Sequence, residues 1–150
     1  MVTNPIQQPS TVTAVPQPRS ALSGDLCALV RALATPPPAP CSREHLAGRL
    51  GPVRRGFAEH VRLTEGPAGL YAELLHQAPR LDRGVRLLAD EHVAIAAAIA
   101  ALQHAVRLPA MPAEELREQA RNLLRALDRH RQRGADLLWE AYQADLGGED

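Results

Sequence analysis

The chain has 150 residues, 45% of them hydrophobic but only 3% aromatic, which suits one domain with an aliphatic core of its own. Its 17 basic residues, every one an arginine, balance 17 acidic ones to a net charge of zero, which argues against a dominant electrostatic partner such as nucleic acid or a membrane surface. Cys27 and Cys41 are the two cysteines and form no C-x-x-C pair, so neither a disulfide scaffold nor a zinc ribbon is indicated.

A core of Leu, Val, Ile and much Ala favours helices over sheets. The complete preference for Arg over Lys is a coding bias expected of a GC-rich bacterial genome. No positive segment followed by an apolar run opens the chain, and the most apolar stretch, 93–102, is too short to span a bilayer. The expectation is a soluble, cytoplasmic, all-α protein.

In chain order, residues 1–19 carry four prolines without a sustained period and predict a disordered tail. Residues 21–34 predict a helix, with Leu22, Leu26, Leu29 and Leu33 spaced 4, 3, 4 along one face. The TPPPAP segment at 35–40 is a stiff connector. Ser42 is a good N-cap for a second helix over 42–65, whose face reads Leu46, Leu50, Val53, Phe57, His60 and Thr64. Gly51-Pro52 falls inside it, and because the face keeps its phase across the proline, a kink is expected there and not a reversal.

Gly66-Pro67 ends that helix, and 70–76 predicts a short helical piece before Pro79. A third helix over 80–107 presents Leu81, Val85, Leu88, His92, Ile95, Ile99, Leu102 and Val106. A fourth begins at Pro112 with Glu114 and Glu115 at its positive dipole end, and presents Leu116, Ala120, Leu123, Leu127, His130, Gly134, Leu137 and Ala141 before Gly147-Gly148 stops it. Four such seams with short links predict an antiparallel up-down four-helix bundle over 20–146, with 147–150 as a C-terminal tail.

Three helices each carry one histidine on the seam, His60, His92 and His130, while His45, His76 and His104 fall off it. Chance would place roughly two of six on seams that take two positions in seven, so their distribution, one per helix, is more telling than their number. Buried, they are either neutral core residues or metal ligands.

The segments EHVRLTEGPAGLY (59–71), LLADEHVAI (87–95) and LDRHRQRGADLLWEA (127–141) resemble, in order and seam position, the second-, third- and fourth-helix motifs of hemerythrin-like proteins. The resemblance implies a metal-binding bundle holding non-haem iron, with oxygen or nitric oxide as the bound or sensed molecule. Its ligands would be His60, His92 and His130. Where the family sets a carboxylate four residues after a histidine, this chain has Thr64 and Gly134. Glu65 becomes a fourth candidate ligand if a widened last turn rotates it inward; otherwise it is a solvated side chain. A mononuclear site of two or three histidines is chemically sound for iron or zinc.

The Arg117, Arg121, Arg125 and Arg129 stripe reads as a solvated face because Glu114, Glu118 and Asp128 interleave with it. Trp139 and Tyr142 are expected to pack over the bundle end. No phosphate loop, nucleophile elbow or H-E-x-x-H motif is present, which leans against an enzyme. A protein partner or a homo-oligomer stays open, and so does the alternative to metal binding: a metal-free interaction module whose core histidines are relics of a site.

Overall fold

The computed structural model describes residues 42–145 and, before them, Cys27, Arg31, Leu33 and Ala34. The predicted tails at 1–19 and 147–150, the 35–40 connector and most of the first predicted helix lie outside the described residues. Those that are described form no strand. The elements are α1 (Ser42–Glu65), α2 (Leu70–Gln77), a 3-10 turn (Pro79–Leu81), α3 (Asp82–Ala105) and α4 (Ala113–Asp145).

Helix α1 runs unbroken through Pro52. The proline ring sits on the solvent side, flanked by the buried Leu50 and Val53, so the lost backbone donor falls where water can serve the freed carbonyl. At the other end, Gly66 N–H donates to Arg62 O at 3.2 Å and Gly69 N–H to Gly66 O at 2.8 Å. A Cβ on Gly69 would stand 2.6 Å from Thr64 O, so the turn can fold this tightly against α1 only without a side chain there.

The third and fourth helices differ in their bounds from the sequence expectation. The third helix starts at Asp82, because Pro79 opens a 3-10 turn instead of a first helical turn, and it ends at Ala105 rather than 107. The fourth starts at Ala113, one residue after the expected Pro112, and runs to Asp145.

Contacts between the helices fix their directions. His92 meets His130 and Gly84 meets Leu137, so α3 and α4 run antiparallel. Glu65 and His60 meet His92, whereas Arg43 reaches the carbonyls of Val106 and Leu108 at 3.3 and 3.0 Å, and that of Met111. Helix α1 is therefore antiparallel to α3. The Arg43 guanidinium thereby ties the start of α1 to the carbonyls at the end of α3 and in the following link.

The core falls into two clusters. The larger holds Leu50, Val53 and Phe57 of α1, Ile95, Ile99 and Leu102 of α3, and Leu116, Leu123 and Leu127 of α4, with Leu33 packed against it. The smaller joins Tyr71 and Leu74 of α2 to Leu81, Val85, Leu88 and Leu137. His92 stands between them along α3 and His130 along α4, and His60 follows Phe57, a residue of the larger cluster, on α1. Trp139 does not pack over the bundle end as expected: it is 66% exposed, and Tyr142 is 40% exposed. Both fall off the Leu123, Leu127, His130, Leu137 seam, whose spacing leaves no inward place for them.

Candidate metal centre

Each histidine sits on its helix where the apolar period demands a core residue, one turn from a large apolar side chain: Phe57 before His60, Leu88 before His92, Leu127 before His130. The three helices thus carry their imidazoles into one layer. His60 is 5% exposed, and His92 and His130 are each 2% exposed. Because α1 stops at Glu65 and residues 66–69 form a turn instead of prolonging the helix, His60 comes level with His92.

The rings converge on one point through the same atom. Nε2 of His60 lies 3.2 Å from Nε2 of His92 and 3.2 Å from Nε2 of His130, and the last two lie 3.0 Å apart. These separations place each nitrogen about 1.8 Å from the centre of the triangle, close to the usual imidazole–metal distance of roughly 2.0–2.1 Å, so His60, His92 and His130 would together hold one ion. Three buried histidines within metal-binding distance of one another are what a single ion needs.

The outer nitrogens fix which lone pairs face inward. His130 Nδ1 donates to Glu91 Oε2 at 2.8 Å, and His92 Nδ1 donates to Glu65 Oε1. A carboxylate accepts only, so both Nδ1 atoms carry the hydrogen and both Nε2 atoms present bare lone pairs. At 3.0 Å these two lone pairs repel unless a cation lies between them. Carboxylate partners of this kind orient metal-bound imidazoles and raise their basicity. Glu91 is itself held by Arg133. His60 differs, because its Nδ1 is buried without a hydrogen-bond partner.

Protons are poor candidates for that cation. Burial, reinforced by His92 and His130, pushes the His60 pKa down to about 3, and burial pushes His130 down to about 4. Burial also lowers His92, although the Glu65 carboxylate opposes it. At neutral pH the cluster is uncharged.

Aromatic rings close the layer on both sides. Phe57 lies 5.8, 5.7 and 6.3 Å from the rings of His60, His92 and His130, an apolar floor toward the larger cluster. On the side of the smaller cluster, Tyr71 stacks on His92 with centroids 5.7 Å apart and an interplanar angle of 9°. Its hydroxyl stands 3.4 Å from His92 Nε2. Burial raises its pKa, so the phenol keeps its proton.

The structure thus brings together three of the four ligand candidates. Glu65 stands behind His92, on Nδ1, outside the Nε2 triangle. It lies about 100° around the helix from Thr64, so while Thr64 is buried Glu65 keeps 37% of its side chain exposed and grips the outer edge of the ring. Thr64 turns its hydroxyl back to His60 O at 2.9 Å, a local bond that occupies its proton. A Cβ at Gly134 would meet nothing within 4 Å.

Sequence reasoning missed three participants. Glu91 adjoins His92 in the chain but serves His130 on the next helix. Arg133 was one of many surface arginines. Tyr71 stood in a quoted motif without a role, and its position after the Gly-Pro turn was the available signal. Comparison of the chain with protein-family models, with characterised proteins and with solved structures returns no match.

Proposed function

We propose that this chain is a metal-binding helical protein that holds one first-row transition-metal ion on His60, His92 and His130. The observation that carries the reading is the 3.0 Å contact between the Nε2 atoms of His92 and His130, both of which are hydrogen-free because carboxylates take the Nδ1 hydrogens. Three neutral imidazoles suit iron, zinc, copper or nickel, and a three-histidine set leaves coordination positions open. Such an ion would supply Lewis acidity or a binding position for a small molecule.

Iron is the ion that the hemerythrin-like resemblance implies, with oxygen or nitric oxide binding as its role. The order of the three motifs supports that, and so do the antiparallel helices and the packing of Leu33 against the core, which fits a first helix completing a four-helix bundle. The site itself favours one ion over two. All three nitrogens meet at one point, and the carboxylates nearest them are engaged with the outer nitrogens. Among the described residues no helix is long and apolar enough to cross a membrane, which agrees with a soluble protein.

The competing reading is a metal-free interaction module. In its favour, a His60 Nε2 hydrogen directed at His130 and the Tyr71 hydroxyl directed at His92 satisfy two of the inward lone pairs. It leaves the Nε2 atoms of His92 and His130 3.0 Å apart with neither a hydrogen nor a cation between them. Metal analysis of the full chain, purified without chelators and reconstituted anaerobically with ferrous iron or with zinc, decides between them. One ion per chain, lost in the His92→Ala, His130→Ala double variant and raising the melting temperature of the wild type, is the expected result. Absence of a stoichiometric ion after both reconstitutions overturns the metal reading.

A further inference from the structure

The two faces of the nitrogen triangle are unlike. Phe57 packs against all three imidazoles from the side of the larger cluster and offers no polar atom there. The opposite face meets Tyr71, which is 7% exposed and, among the described residues, carries the neutral hydroxyl placed against one of the inward nitrogens. A coordination position left open by the histidines therefore has an apolar wall on one side and a hydrogen-bond donor on the other.

The hydroxyl stands within reach of whatever occupies that position. The rings of Tyr71 and His92 are nearly parallel, and Oη lies 3.4 Å from the Nε2 that would hold the ion. A buried neutral phenol is a sound hydrogen-bond donor, so its natural partner there is an oxygen atom that accepts a bond of about 2.7–2.8 Å.

Metal binding would also take the lone pair that the hydroxyl now faces. A buried phenol that loses an acceptor gains by finding another close by.

We propose that the Tyr71 hydroxyl donates a hydrogen bond to a small oxygen-donor anion held on the remaining coordination position, so that the site selects small hydrogen-bond acceptors over apolar ligands of similar size. This rests on the metal reading above. Phe57 and the parallel ring of Tyr71 keep the ligand small, and Tyr71 sets its orientation.

The test uses the full chain loaded with cobalt(II), whose visible absorption reports its ligands, titrated with sodium formate at constant ionic strength. Tyr71→Phe is expected to keep one cobalt per chain and to bind formate roughly tenfold more weakly, the loss of one hydrogen bond to a charged acceptor. Should that variant not fold, 3-fluorotyrosine incorporated into Tyr142→Phe protein makes the remaining phenol a stronger donor with little added volume, and tighter formate binding is expected. Equal formate affinity with and without the hydroxyl, unchanged affinity with the fluorinated phenol, or a cobalt spectrum indifferent to formate each overturns the proposal while leaving the metal site standing. Failure of the wild type to take up cobalt, iron or zinc overturns both.

Discussion

The apolar clusters on either side of the histidine layer are built in different ways. The larger draws on three long helices that cross one another at several turns. The smaller depends on α2, which has eight residues, and on a 3-10 turn of three. A helix that short has no stability of its own in water, so tertiary contact alone holds the Tyr71 side of the site in place. The lesson is that the candidate centre has a stiff floor and a softer cover, and that a ligand entering from solvent meets less resistance beneath α2 than between the long helices.

Acid should break the histidine layer before either cluster. His60 and His130 are held in the folded state at about 3 and about 4, below the ordinary value of 6.5, so the unfolded chain binds more protons. Stability of the metal-free protein is then complete above pH 6.5 and declines as pH falls toward 4, each histidine contributing a slope of up to about 1.4 kcal/mol per pH unit. Urea unfolding from pH 7.5 to 4 should show this decline. A flat profile over that range would mean that the imidazoles are not buried as a neutral cluster.

Phe57→Ala removes the floor and should cost about 3–5 kcal/mol, while Leu74→Ala in the softer cluster should fall toward the low end of the roughly 2–5 kcal/mol range because α2 can settle into the space. Denaturant melts of both variants test this order. The reverse order would place the rigid end of the molecule at α2.

Replacing Glu91 with Gln should lower metal affinity by about 10–100-fold, and replacing Glu65 should do less. Glu91 has a side-chain exposure of 17% and is pinned by Arg133, whereas Glu65 is at 37% and partly solvated. Competition with a chromophoric chelator reads both affinities. Equal effects would show that solvent does not weaken the outer carboxylate.

The smallest effects should come from two helix-interior glycines with opposite signs. A Cβ at Gly84 would lie 2.5 Å from Leu137 Cδ1, so Gly84→Ala must displace a side chain of the smaller cluster and should cost about 1–3 kcal/mol. Gly134 has nothing within 4 Å of its Cβ position, and Gly134→Ala should stabilise the fold by about 0.5–1 kcal/mol through the backbone alone. Thermal melts of the two variants should move in opposite directions.

Period and punctuation in the sequence determined a great deal. The spacing of Leu50, Val53, Phe57 and His60, of Leu88, His92 and Ile95, and of Leu123, Leu127 and His130 placed the three histidines on buried faces, because a helix repeats every 3.6 residues whatever it packs against. Gly66-Pro67 and Pro79 marked the breaks because neither glycine nor proline continues a helix cheaply. What those faces meet depends on how the helices are laid beside one another, and only the tertiary structure decided that. Glu91 lies one residue from His92 yet bonds His130, Glu65 reaches the back of His92 and not the centre, and Tyr71 arrives over the nitrogens on a short helix that the rest of the fold holds there. These are contacts between residues 21 to 39 positions apart in the chain. Periodicity within one helix says which way a side chain points, while only the packing of the helices says what it finds there.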